Sequence, residues 1–443
     1  MNQFLSAPKR HRALSDTLFI LWAGGAALLA YSLVYALRKP FTAASFDGLT
    51  FFGMDYKVAV SIMQLVGYVT SKFLCIKFIS ELKPGGRLRF IVGAAALSEV
   101  SLVLFGLLPV PWNIVMLFFN GLSLGCMWGV IFSFLEGRRT TDILASMMGM
   151  SMAISSGVSK SLGLFTLEHF HVSEFWMPAL IGAVAFPLLS LMGWLMTRLP
   201  APTAEDIALR TRRKTLNGSE RRALVRRFLP FLAAIFGANL LLTVMRDIKE
   251  DFIVRIIDVS TISSWTFAQT DTVATLLMLA IFALLAGVRN HKQVLCVLLG
   301  LSTLGMFALS FIGANFTTLH MPVVEWLFLQ TFLIDIAYLS FQTIFFERFI
   351  ACFRIEGNVG FFIITIDFVG YLGTLGLLGF KEMAHAGMNW STFYNGMNFY
   401  IGLACGLAFL FAIGYLLAKA PKQAHSADTA VETNPNYLTP QAL

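Results

Sequence analysis

The amino-acid sequence predicts an all-α polytopic membrane protein with twelve transmembrane helices in two halves of six. The chain has 443 residues, of which 57% are apolar and 13% charged, whereas soluble domains are about 45–50% apolar and about 25% charged. Apolar segments long enough to cross a bilayer recur along the chain, and one polar stretch divides them into two equal sets. Lysine and arginine are concentrated in alternate loops, as expected of a membrane protein.

The two predicted halves comprise residues 17–197 and 228–418. Their spans are 17–44, 57–79, 88–108, 112–135, 143–166 and 175–197, followed by 228–253, 264–287, 292–313, 322–346, 357–380 and 392–418. The first apolar run is longer than the core of a signal peptide and lacks a small-residue cleavage site, which indicates an uncleaved helix. Short loops imply that consecutive helices run antiparallel.

The basic residues predict the side of the membrane that each loop faces. The N-terminus (1–16), the linker (198–227) and the tail (419–443) contain them, whereas loops such as 109–111 and 167–174 contain none. Since positive charge marks cytoplasmic loops, we predict an integral protein of a bacterial inner membrane with both termini cytoplasmic. The linker has nine basic and three acidic residues and is expected to face anionic lipid headgroups. The polar tail is predicted to be disordered.

The sequence argues against several function classes. The chain contains no Walker loop, dinucleotide fingerprint or HExxH motif, and no nucleophile–base constellation is visible. Its five cysteines are scattered without metal or disulfide spacing, so we interpret them as small buried residues. The net charge of +8 follows from the loop residues rather than from a nucleic-acid surface. We therefore predict no enzyme activity, cofactor, metal or nucleic-acid partner.

An arginine with two tyrosines ends the first predicted span. Tyr31, Tyr35 and Arg38 stand at i, i+4 and i+7, so they share one helix face. Arg38 falls at the outer end, where positive charge is disfavoured, which indicates an anion ligand; the alternative is an arginine that snorkels to the interface. In span two, Tyr68 and Lys72 are one turn apart and are expected to face the same cavity.

The second half offers a counterpart in span seven, Arg246. If the halves are repeats, Arg38 and Arg246 lie on opposite cavity walls, where two guanidiniums suit a phosphate or carboxylate. The alternative is local neutralisation of Arg246 by Glu250 or Asp247. Lys160, in a serine-rich part of span five, is either a substrate ligand or a member of a structural ion pair.

Acidic residues also fall within the predicted spans, where ionisable groups are costly unless they serve a function. Asp335 and Asp367 lie well inside spans ten and eleven. Each is a candidate counter-ion for Arg246 or Lys160, or a carrier of a coupling proton, because burial favours the neutral form of a carboxyl group. Glu99 and Asp271 are weaker candidates.

Six spans, a basic linker and six further spans form the layout of the major facilitator superfamily, whose two halves enclose a central cavity. Within it the chain resembles the organophosphate:phosphate antiporter family, which includes glycerol-3-phosphate and glucose-6-phosphate carriers. The matching motifs are Tyr31-(x3)-Tyr35-(x2)-Arg38-Lys39-(x)-Phe41, Tyr68-(x2)-Ser71-Lys72-Phe73, Asn120-Gly121, Met245-Arg246 with Asp251-Phe252, and Gly370-Tyr371-Leu372-Gly373. The chain is divergent, since it has serines where members of that family have a span-five histidine.

The resemblance implies roles for the matched residues. In that family the arginines of spans one and seven bind the phosphoryl group, assisted by tyrosines and a span-two lysine, which correspond to Arg38, Arg246, Tyr31, Tyr35, Tyr68 and Lys72. We therefore predict a monomeric secondary transporter of a small organic anion, an organophosphate exchanged for inorganic phosphate by alternating access. The alternatives are a proton-coupled symporter that uses Asp335 or Asp367, and a receptor with a transporter fold.

Overall fold

The computed structural model describes residues 7–136, 138, 140–201, 218–355, 359–385 and 389–419. Its first helices are α1 (Ala7–Arg38), α2 (Tyr56–Glu81), α3 (Arg87–Leu107), α4 (Val115–Leu124), α5 (Met127–Ser133), α6 (Thr141–Phe170) and α7 (Met177–Thr197). They are followed by α8 (Gly218–Arg227), α9 (Leu229–Ile256), α10 (Thr266–Ala286), α11 (His291–Ala314), α12 (Phe316–Leu319), α13 (Val323–Gln342), α14 (Phe345–Phe353), α15 (Val359–His385) and α16 (Trp390–Lys419). A two-stranded hairpin pairs Thr50–Phe51 with Met54–Asp55.

Ten helical segments of the described residues are long and apolar enough to cross a membrane, which confirms an integral multi-pass protein. They are α1, α2, α3, α4 with α5, α7, α9, α10, α11, α13 and α16. Helices α6 and α15 have 30 and 27 residues, so at about 1.5 Å per residue they are also long enough to cross. Each carries charged residues in its interior, which lowers its hydropathy. Most of the predicted linker and all but the first residue of the tail lie outside the described residues.

Consecutive spans alternate in direction, so the loops divide between two ends of the bundle. We call the end that carries residues 39–55, 171–176 and 257–265 the distal end, because it lies opposite α8. At this end Ser161 Oγ of α6 accepts a hydrogen bond from the amide of Ala268 in α10 at 3.0 Å. The two halves therefore pack against each other near the distal end.

The end of α1 sets the position of Arg38. Pro40 has no amide hydrogen to continue the helix, and the chain passes into a short 3₁₀ turn. The carbonyl groups left at the helix end need other donors. The side chain of Gln64 donates to the carbonyl of Arg38 at 2.7 Å, and that of Asn120 donates to the carbonyl of Leu37 at 3.1 Å. Helices α2 and α4 thus hold Arg38 within the bundle.

Close contact between α2 and α4 makes these hydrogen bonds geometrically possible. A Cβ atom on Gly67 would overlap the carbonyl oxygen of Phe118, and one on Gly121 would overlap that of Gln64. Small residues permit such backbone contact between membrane helices. The same packing brings Cys75 opposite Cys126.

Cys75 and Cys126 are buried, as expected of small core residues. The fold also brings them next to each other, with their Cα atoms 5.6 Å apart. They are 51 residues apart in sequence, and their proximity depends on how α2 packs against the α4–α5 junction. Spacing along the chain could not indicate it.

Candidate functional site

Arg38 lies in a group of tyrosines between the two halves. Its side chain is 6% exposed, and its guanidinium carbon is 3.7 Å from the ring centroid of Tyr68. The Tyr68 ring contacts Tyr371 of the second half, with centroids 5.6 Å apart. Tyr31 packs edge-on against Tyr35, with centroids 5.6 Å apart. We call Tyr31, Tyr35, Tyr68, Tyr338 and Tyr371 the tyrosine cage.

Arg38 has no carboxylate partner among the described residues, and its Nε has no hydrogen-bond acceptor. A buried charge without a counter-ion is costly. Contact with the face of Tyr68 offsets part of that cost, by about 2 kcal/mol for a desolvated pair. Arg38 is therefore a buried cation whose charge no carboxylate compensates among the described residues.

Lys72 connects the two halves through an ion pair. Its Nζ is 3.2 Å from Oδ2 of Asp367 on α15, and it lies 4.6 Å and 5.2 Å from the ring centroids of Tyr371 and Tyr68. The other carboxylate oxygen of Asp367 accepts a hydrogen bond from Gln342 Nε2 at 2.6 Å. Lys72 thus shares the cage with Arg38 and is held there by a carboxylate of the other half.

Arg246 has a different environment from Arg38. Its guanidinium forms ion pairs with Glu250 at 2.8 Å and Asp335 at 3.2 Å, and its central carbon is 4.7 Å from the ring centroid of Tyr338. The two carboxylates compensate its charge. The structure therefore places both predicted arginines near the cage tyrosines, but it leaves only one of the two without a carboxylate among the described residues.

Lys160 is buried at 2% exposure on the distal side of this site. Its Nζ is 5.7 Å from the ring centroid of Phe267, and it has no ion pair within 4.0 Å among the described residues. A neighbouring hydrogen-bonded chain runs from Lys249 Nζ to Thr331 Oγ1 at 2.8 Å and on to Asp271 Oδ1 at 3.0 Å. The carboxylate of Asp271 packs against Gly157, one helical turn before Lys160.

The distal end is closed by a second set of contacts between the halves. Lys39 pairs with Asp251 of α9. Arg255 of α9 is 3.3 Å from Asp47 and 3.5 Å from Asp55 on the 39–55 loop, and it donates to the carbonyl of Ser45. We call these contacts of Arg255 the distal latch, because they tie the hairpin loop of one half to the other.

Leaving aside the distal latch and Lys57 beside it, the charged residues around the cage balance in number. Among the described residues they are the basic Arg38, Lys39, Lys72, Lys160, Arg246 and Lys249 and the acidic Asp247, Glu250, Asp251, Asp271, Asp335 and Asp367. Six positive charges thus face six negative charges. The site has no surplus of positive charge with which to neutralise a multiply charged anion.

Sequence reasoning missed several members of this site. Lys249 follows Arg246 by three residues and Tyr338 follows Asp335 by three, so helical spacing could have identified both. Tyr371 appeared only as part of a family motif. Glu99 lies away from the site, packed between α3 and α7 beside Gly182.

Three solved structures of similar architecture are transporters by name. A mutant of the nucleoside transporter NupG has a TM-score of 0.55 at 15% identity, over 90% of this chain and 99% of that one. A mutant of the peptide transporter POT has a TM-score of 0.59 at 13% identity, over 91% and 94%. The inward-open xylose transporter XylE from E. coli has a TM-score of 0.57 at 11% identity, over 93% and 97%. These similarities confirm the predicted major facilitator fold.

Residues 40–419 match the family described as "Family of unknown function (DUF5690)". No curated protein sequence matches the chain.

Proposed function

We propose that this chain, which belongs to the DUF5690 family of unknown function, is a secondary active transporter of a small organic anion. The proposal rests on its fold and its candidate site. The observation that carries the proposal is Arg38, a buried guanidinium without a carboxylate partner in an aromatic cage between the halves. The neighbouring folds supply the transport class, and Arg38 supplies the preference for an anion.

In this proposal the anion binds Arg38 through the planar fork of the guanidinium. Lys72 is the second ligand, and it exchanges its bond to Asp367 for one to the substrate. Since the Lys72–Asp367 ion pair joins the two halves, substrate binding weakens one of their contacts. Breaking the distal latch then allows the halves to rock, and the site opens to the other side of the membrane.

We propose that the carrier exchanges an organophosphate for inorganic phosphate, because each of them can bind Arg38. An empty carrier would have to reorient with an unpaired buried cation, which is unfavourable. A bound phosphoryl group on either substrate removes that penalty, so two loaded states interconvert more readily than empty ones. The proposal places both termini in the cytoplasm of a bacterial cell and treats the chain as a monomer in the inner membrane.

Proton-coupled symport of the anion is the second candidate, and the charge balance of the site favours it. Adding an anion to six cations and six carboxylates leaves one negative charge uncompensated. Protonation of Asp335 or Asp367 would restore neutrality during transport. In that case uptake would depend on a proton gradient and not on phosphate inside the vesicle.

Counterflow in proteoliposomes tests the proposal. Vesicles loaded with phosphate are offered labelled sugar phosphates, glycerol phosphate and carboxylates, with and without a protonophore. Exchange predicts uptake that requires internal phosphate and survives the protonophore, whereas symport predicts the reverse. Arg38→Lys retains the charge but loses the fork, so we expect severe loss of transport. Near-normal uptake by that variant would refute the role of Arg38, and binding without uptake would support a receptor.

A further inference from the structure

The carboxylate of Asp247 is linked to the tyrosine cage through Thr374. Asp247 of α9 accepts a hydrogen bond from Thr374 Oγ1 at 2.8 Å. Thr374 is one helical turn from Tyr371, a separation of about 5–6 Å between their Cβ atoms. Tyr371 in turn contacts Tyr68, whose ring face holds Arg38. Tyr371 is therefore linked to Arg38 through the ring of Tyr68 and to Asp247 through its helical neighbour Thr374.

Asp247 forms no ion pair within 4.0 Å among the described residues. The cations Lys39 and Arg246 are each already bound to other carboxylates. Of the described residues around the cage, Arg38 of the first half is thus a cation without an ion pair, and Asp247 of the second half is a carboxylate without one. A ligand with a single negative charge would satisfy only one of them.

We propose that the transported substrate is a small zwitterion, whose anionic group binds Arg38 and whose ammonium group binds Asp247. The inference rests on the proposed function, since it takes Arg38 as the anion ligand. The balance of six positive and six negative charges is kept when a zwitterion binds. The tyrosine rings between the two charges also suit an ammonium group, which is attracted to aromatic faces.

Matched pairs of probes separate this inference from simple anion transport. Phosphoethanolamine and ethyl phosphate differ by an amino group, as do β-alanine and propionate, and the two pairs distinguish a phosphoryl from a carboxyl anion. We expect the wild type to take up one zwitterion at least about tenfold more efficiently than its matched anion, since buried charge pairs at interfaces couple strongly.

Variants of Asp247 then test the assigned residue. Asp247→Asn is expected to lower uptake of the zwitterion about tenfold and to leave its matched anion within about threefold. Asp247→Glu keeps the charge and should retain the preference, which shows that loss in Asp247→Asn is not a folding defect. Glu325→Gln removes an exposed carboxylate at the distal surface and should leave the preference unchanged.

Two results would overturn the inference. If ethyl phosphate or propionate is taken up as well as its amino counterpart, and Asp247→Asn does not change that ratio, the zwitterion assignment fails while Arg38-dependent anion transport stands. If the wild type takes up none of the four probes, the inference fails for this substrate class. Unimpaired uptake by Arg38→Lys would remove the proposed function and the inference together.

Discussion

Replacing Asp367 with asparagine is expected to tighten anion binding, whereas replacing Lys72 with glutamine should weaken it. Without substrate, Asp367 pairs with Lys72 at 3.2 Å. In our proposal, an anion that binds Lys72 must therefore compete with Asp367. Asparagine keeps a partner for Gln342 but no longer attracts the ammonium group. Lys72 would remain between Tyr68 and Tyr371 and would be free to bind the anion.

The size of the effect follows from the geometry of the pair. At 3.2 Å and an effective dielectric constant of about 20, two unit charges attract by about 5 kcal/mol. The side chains are 25% and 18% exposed, so solvent screening and the desolvation of both groups reduce the net coupling to about 1–2 kcal/mol. Removing the competition should therefore lower the Kd of the anion by about fivefold to thirtyfold.

Isothermal titration of the purified wild type, Asp367→Asn, Lys72→Gln and the double variant with the anion that supports counterflow measures this coupling. In the Lys72→Gln background the Asp367→Asn change should have little effect, because the competing cation is already gone. The same uptake assays should show slower turnover for Asp367→Asn, since the substrate no longer releases a contact between the halves. Additive effects, or weaker binding by Asp367→Asn, would refute the competition between Asp367 and substrate.

Three further predictions concern stability and closure. Arg246→Gln leaves two buried carboxylates without their cation and should destabilise the protein by about 3–5 kcal/mol. Arg38→Gln removes an unpaired charge and should not lower the thermal unfolding temperature. An equal loss of unfolding temperature in the two variants would contradict this difference. Gly121→Leu should prevent contact between α2 and α4 and lower both folded yield and unfolding temperature, while Gly93→Ala, which has open space, should not. Arg255→Gln should release the distal latch, increasing maleimide labelling of a cysteine introduced in the 39–55 loop; unchanged labelling would show that the latch does not control closure.

The fold could be predicted from the sequence because the bilayer imposes it locally. Length, apolarity and the loop positions of lysine and arginine are properties of each segment. The spans and the alternation of basic and non-basic loops could therefore be predicted without knowing any tertiary contact. The break of span four into α4 and α5 was not, since it depends on packing against α2. The proximity of Cys75 to Cys126 depends on the same packing.

The candidate residues could also be identified from the sequence, because a charged residue within an apolar helix is unusual. Their interaction partners were harder to predict. Glu250 is four residues after Arg246 and could be foreseen as its partner, but Lys72 and Asp367 are joined only where α2 crosses α15. Helical periodicity says which residues share a face, and it does not say which faces of different helices meet.

The two arginines show why charge alone does not assign a function. Arg38 and Arg246 occupy the first helix of their respective halves, yet one lies against Tyr68 without a carboxylate among the described residues and the other binds Glu250 and Asp335. A symmetric clamp would require both guanidiniums to be available to the same anion. Because Arg246 is compensated in this state, our proposal assigns recognition of the anion to Arg38 and Lys72. An anion could recruit Arg246 only by displacing or neutralising Asp335, which would link substrate binding to the protonation of that acid.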